Sequence, residues 1–205
     1  MHTQPGLRER KKQRTRETIA RVALELFEER GYQATTLDDI AEAADVSTRT
    51  IFSYYPSKED ILFCDFPEIK AALERALDER PEGKDALETV RDFILSFEKD
   101  DLHQRRVQIV HSDVTLHSRE RARLSEIYEL VAAAIARDLN AAEDDLRPRL
   151  VAAALIAAFE AFDERPDSAH APEELAAEID SVFAFLRGGL AALATPVPRQ
   201  RQTRT

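Results

Sequence analysis

Few residues in this 205-residue chain are of a kind and spacing that could do chemistry. Arg49 is the only long hydrogen-bond donor in the run Ser47-Thr48-Arg49-Thr50. A guanidinium can pair in two-pronged fashion with O6 and N7 of guanine, a contact worth about 1–3 kcal/mol of discrimination. Thr48 and Thr50 can donate to bases or phosphates, or pack on thymine methyls. A second group is N-terminal: residues 1–16 hold six Lys or Arg against a single acid, Glu9. Such a run either draws in a phosphate backbone without regard to sequence or forms a solvated tail. Arg105 and Arg106 could bind a carboxylate or a coenzyme phosphate, or simply belong to a solvated face. His111 and His117 lack the i, i+4 spacing of a helical metal pair, and Cys64 is the only cysteine. No metal site, Cys-based zinc centre or internal disulfide is therefore expected.

Catalytic arrangements are missing. The five glycines are too scattered to build a phosphate-cradling loop, and there is no Ser elbow, H-E-x-x-H or Cys/His arrangement. The expectation is a non-enzyme with no catalytic residues and no cofactor. No apolar run approaches the roughly 18–20 residues of a membrane span. The polar, basic N-terminus has no secretory h-region. A cytoplasmic protein without a membrane partner is expected. The net charge of −10 would argue against nucleic acid as a partner, but the acid is unevenly spread. Residues 1–60 carry ten basic and eleven acidic side chains, whereas residues 61–195 carry sixteen and twenty-eight.

The elements that must position these groups are helical almost throughout. Ile19, Val22, Ala23, Leu26 and Phe27 recur at helical spacing, and Gly31 is a natural stop, which predicts a first helix over 12–30. Thr36-Leu37-Asp38-Asp39 resembles a capping box, with Asp in place of Glu. Asp45-Val46 makes a tight turn. Ser47 caps a third helix that Pro56 ends, and Ser57 opens a fourth running to about Arg80 with a break near Phe66. Three short helices, the last two joined by a tight turn, describe either a helix-turn-helix unit or a plain helical hairpin. Later helices are expected at 85–99, 102–116, 119–140, 146–164 and 173–193. The fold class is all-α.

Residues 15–63 resemble the DNA-binding domain of the tetracycline-repressor (TetR) family. The likeness runs through Ile19-Ala20…Ala23…Leu26-Phe27, Gly31-Tyr32 and Ala34 to Ala41. It continues through Ala44-Asp45-Val46-Ser47 and Ile51 to Leu62. The rest of the chain is similar to that family in outline only, and most like actinobacterial mycofactocin-associated regulators. The resemblance implies a flexible basic arm (1–14), a helix-turn-helix domain (15–60), an effector-binding and dimerisation domain (61–194) and a disordered tail (195–205). It makes the third helix the recognition helix and implies DNA contacts from Thr36, Ser47, Thr48, Arg49, Thr50, Phe52, Ser53, Tyr54 and Lys58. Phe52 stands where the family commonly has Tyr, so only a hydrophobic contact is expected there. Tyr55 is expected to pack inward.

Two late stripes, Leu150, Val151, Ala154, Leu155, Ala158, Phe159 and Phe162, then Leu175, Ile179, Val182, Phe183, Leu186 and Leu190, could be monomer core. With the resemblance they imply a four-helix dimer interface. Phe97, Arg106, Val110, His111, Val114, Tyr128 and Phe159 are the candidate effector-binding residues. The chain is thus expected to be a homodimeric regulator, a repressor released from a palindromic double-stranded DNA operator by an unidentified small molecule.

Overall fold

The computed structural model describes residues 6–96, 101–163 and 172–194. Among them it holds ten helices and no strand. They are α1 (Leu7–Arg30), α2 (Leu37–Ala43), α3 (Thr48–Tyr54), α4 (Lys58–Leu62), α5 (Phe66–Asp78), α6 (Ala86–Ser96), α7 (Asp101–Ser112), α8 (Val114–Leu139), α9 (Arg147–Asp163) and α10 (Pro172–Ala194). The chain divides into two compact units. One is Met1–Lys70 with Glu98–Arg121; the other is Ala71–Phe97 with Ala122–Thr205.

The first unit is built on α1. Ile19, Ala23, Leu24 and Phe27 lie at 0–2% exposure. They meet Ile40 of α2, Ile51 of α3 and Ile61 and Leu62 of α4 in one apolar core. Each fully buried side chain of this kind contributes roughly 1.5–3 kcal/mol. Gly31 ends α1 with φ 85°, a conformation open to glycine, and its N–H bonds the Phe27 carbonyl at 2.9 Å. Thr35 is buried beneath the loop that follows. Its hydroxyl donates to the carbonyls of Leu26 and Gly31 at 3.2 and 2.9 Å, so the polar group is matched.

This unit reaches further along the chain than the 60/61 boundary expected above. Ile109 and Val110 of α7 and Leu116 at the head of α8 join the same core. Polar contacts follow them. Arg105 forks onto Glu28 at 2.6 and 2.5 Å, and Gln33 donates to Asp113 and Thr115 at 2.9 and 2.7 Å.

Two element bounds also move. The basic segment expected to be a flexible arm is, from Leu7 on, the first turns of α1, with Arg8, Arg10, Lys11, Lys12 and Arg14 exposed. Arg, Lys, Glu and Gln are good helix formers, and propensity alone carries the helix past its last apolar residue. The break expected at Ser118 falls at Asp113 instead, whose carboxylate accepts the Thr115 N–H at 2.9 Å and so caps α8. The fourth-helix break does occur before Pro67. Pro67 then sits in the first turn of α5, where a missing N–H costs no bond.

The second unit packs Leu73 and Leu77 of α5, Leu87 and Val90 of α6, and Val131 and Ile135 of α8. Val151 and Leu155 of α9 and Ile179, Phe183 and Leu186 of α10 complete this core. Ion pairs tie its rim. Arg187 forks onto Asp85 at 2.7 and 2.9 Å, Arg91 meets Asp180 at 2.5 Å, and Arg80 pairs with Asp138. Asp138 also accepts the Ala86 N–H at 2.6 Å. Val151 and Leu155 of the first expected interface stripe and Ile179, Phe183 and Leu186 of the second therefore serve this unit's own core. The outward face is formed by Leu150, Ala153, Ala157 and Ala161 of α9 and by Ser181, Ala184, Phe185 and Gly188 of α10. The Phe162 side chain and the tail 195–205 lie outside the described residues.

Candidate nucleic-acid interface

α2, the turn at Asp45 and α3 form the helix-turn-helix. Asp45 takes φ 53°, a left-handed conformation that aspartate tolerates better than most residues. Thr36 makes a full capping box: its hydroxyl accepts the Asp39 N–H at 3.1 Å, while the Asp39 carboxylate accepts the Thr36 N–H at 2.8 Å. The Thr36 hydroxyl proton goes to the same carboxylate at 2.5 Å. These bonds hold the Asp39 carboxyl below the ordinary aspartate range. A group whose pKa is depressed in the folded state adds stability that is fully present above its unfolded pKa, and loses it as pH falls through the folded value. The difference in melting temperature between the wild-type protein and Asp39→Asn should be constant near neutrality and shrink below about pH 4. A difference unchanged down to pH 2 would show that the cap does not depend on the carboxylate's charge.

Ser47 caps α3, accepting the Thr50 N–H at 3.0 Å, and its hydroxyl lies 2.8 Å from that of Thr50. Thr48 donates to Asp38 of α2 at 2.7 Å, and Ser53 donates to the Thr50 carbonyl at 2.7 Å. A phosphate oxygen only accepts, so a hydroxyl that has already donated its one proton has nothing to offer it. Thr36, Thr48 and Ser53 are all engaged in this way. Tyr54 is half-buried against the core, and Tyr55 behind it is 2% exposed, with its hydroxyl on the Arg16 carbonyl at 3.0 Å.

Lys58 departs most from its expected role. Its ammonium turns inward, donating to the carbonyls of Tyr32 and Thr35 at 2.6 and 2.8 Å, and lies 4.2 Å from the centre of the Tyr32 ring. Burial pulls its pKa below the usual lysine value, with Glu59 and Asp113 opposing. It ties α4 to the end of α1 rather than reaching outward. Lys58→Met should therefore lower stability by about 1–3 kcal/mol, because two carbonyls lose a charged donor. The slope of log affinity for DNA against log salt should stay unchanged. A slope shallower by about one would instead mark a phosphate contact.

Two α3 side chains remain. Arg49 is exposed and has no hydrogen-bond or ion-pair partner among the described residues. Phe52 is 54% exposed. They lie three residues apart, hence on one face of the helix.

The residues expected to bind an effector are divided between the two units. Arg106, Val110, His111 and Val114 belong to the first unit, and Tyr128 and Phe159 to the second. Phe97 lies outside the described residues. Val110 is 2% exposed in the core, His111 is exposed, and Val114 is 78% exposed. Arg106 pairs with Asp65 at 2.5 Å and reaches the Cys64 sulfur at 3.5 Å. Tyr128 and Phe159 are half-buried. The structural roles of Gln33 and Asp38 escape sequence reasoning, because they depend on partners eighty and ten residues away. Among the described residues no group of three or more His, Cys, Asp or Glu could hold a metal ion, and no helix is long and apolar enough to cross a membrane.

A capped three-helix unit that presents a short helix bearing one unpartnered guanidinium is the reading head of a helix-turn-helix regulator. Residues 19–63 match the family described as bacterial regulatory proteins, tetR family, and residues 86–191 match the MftR C-terminal domain. The chain is 36% identical to the transcriptional regulator TcmR of Streptomyces glaucescens, over 73% of its own length and 71% of the relative's. It is 30% identical to MftR of Mycobacterium tuberculosis, named for mycofactocin biosynthesis, over 86% and 93%. Among solved structures, NalD of Pseudomonas aeruginosa superposes with a TM-score of 0.66 at 22% identity, covering 84% of this chain and 96% of that one. FadR of Thermus thermophilus superposes with a TM-score of 0.53 at 26% identity, covering 93% and 99%. The chain belongs to the TetR family of DNA-binding transcriptional regulators.

Proposed function

We propose that this regulator is a homodimeric repressor that leaves its operator when a small molecule binds. The observation that carries DNA reading is α3 itself, where Arg49 stands exposed and unpartnered on a helix held by caps at its start and by Ile51 from behind. Dimerisation is supported by the outward face of α9 and α10, where Leu150 and Phe185 are 52% and 72% exposed among small residues. Burying that face against a second copy would set two reading helices on the two halves of a palindrome.

Release by a ligand is supported by one structural neighbour: FadR, a transcriptional repressor, was solved with lauroyl-CoA. In this chain α5 and α8 each run from the first unit into the second. The α8 head is held to the loop after α1 by Gln33, and α7 to α1 by Arg105. A ligand in the second unit that shifts α8 would pull on these bonds and move α1, provided that it binds the two states with different affinity. A cytoplasmic site of action follows from this reading. Operator affinity measured with and without candidate acyl-CoA and other apolar ligands tests it. A ligand that lowers affinity at least about fivefold is an effector, and equal affinities exclude that ligand.

A further inference from the structure

Most polar side chains of α3 are already engaged within the domain. Thr48 bonds Asp38, Thr50 lies against Ser47, and Ser53 bonds a carbonyl. Phe52 has no such engagement. Its ring is more than half exposed, whereas its neighbour Ile51, at 0% exposure, anchors the helix in the core. It shares a face with Arg49, about one turn away. A phenyl ring has no donor and no acceptor, so it can neither hold a phosphate by hydrogen bonding nor read a base edge that way. Of the four bases, only thymine places an apolar group, the C5 methyl, in the major groove.

We propose that Phe52 is a specificity-determining residue that covers a thymine C5 methyl in the half-site read by Arg49. The proposal rests on α3 being the base-reading helix and adds a second base position to it. Three residues of helix rise about 4.5 Å, against about 3.4 Å per base pair. The thymine therefore lies one or two base pairs from the guanine. Loss of one methyl from an apolar contact weakens binding about fourfold per half-site.

The test uses two pools of random duplex DNA, one made with dTTP and one with dUTP, which lacks only that methyl. Each pool is selected on the full-length wild-type protein and on Phe52→Ala, Phe52→Leu and Arg49→Ala. Wild-type protein should enrich guanine in both pools, and thymine one or two base pairs away only in the dTTP pool. Phe52→Ala should keep the guanine and lose the thymine, while Phe52→Leu, still apolar, should retain part of the thymine preference. In one enriched duplex, changing that single thymine to uracil in a half-site should weaken wild-type binding about fourfold and leave Phe52→Ala unaffected. Equal enrichment of thymine and uracil with guanine retained overturns the role of Phe52 and leaves that of Arg49 standing. So does a Phe52→Ala that weakens all sequences alike. Sequence enrichment that survives unchanged in both Phe52→Ala and Arg49→Ala overturns α3 as the reading helix, and the proposal with it. Circular dichroism checks that each variant keeps its helices.

Discussion

Arg49→Ala should flatten the protein's ranking of DNA sequences while leaving its fold intact. Nothing in the domain leans on this side chain: it is exposed and has no hydrogen-bond or ion-pair partner among the described residues. Its removal leaves no buried group unmatched. The loss falls on one guanine per half-site, at about 1–3 kcal/mol each, or roughly five- to 150-fold. Two half-sites in a dimer would compound it. Substitution of that guanine should then cost the variant nothing further, because the group that sensed it is gone. The salt slope should fall by less than one per half-site, since a base contact neutralises no phosphate. Arg49→Lys should recover little, because an ammonium is a point charge and cannot make the paired bonds of a planar fork. Competition binding against single-base operator variants measures all of this. An unchanged ranking would exclude base reading by Arg49.

The second large effect is expected from Phe185→Asp. The ring is 72% exposed on α10, among exposed Ser181, Ala184 and Gly188. The neighbouring α9 presents Leu150 and three alanines. Small side chains let two helix pairs approach closely, and the ring would then be the largest apolar group they share. A carboxylate at its centre would lose its hydration without a partner, which costs several kcal/mol unless the interface opens. Sedimentation should therefore give the 23.2 kDa of one chain instead of twice that. Operator binding should fall by about 100-fold or more, because the second half-site contact is no longer intramolecular. Helical content should persist, since the residue is not part of either core. A Phe185→Asp protein that remains dimeric would place the interface elsewhere.

Much of the reading head is legible in the sequence because local rules write it. Thr36, Ser47 and Ser57 stand three residues before the N–H groups that their hydroxyls accept, and each opens a helix. Gly31 ends α1 where its φ requires a residue without Cβ. Period-3.6 patterning finds which face of a helix is apolar, but not what covers it. Val110 therefore reads in the sequence as the wall of a ligand cavity, although α1 covers it. The same gap explains α9, where alanines surround the helix and period alone cannot say which side meets α10. Lys58 turns inward because two carbonyls at the end of α1 wait for it, more than twenty residues away in the chain. The Gln33–Asp113 bond spans 80 residues and has no local signature at all.

Whether this chain reads DNA sequence as a pair is decided by titrating the full-length protein onto a duplex enriched from the genome that encodes it. A shuffled duplex of equal length and composition is the reference. At about 0.15 M salt the enriched duplex should be preferred by at least about a thousandfold, with chains bound in pairs. Equal affinity for the two duplexes, or saturation by a single chain, would refute sequence reading by a dimer.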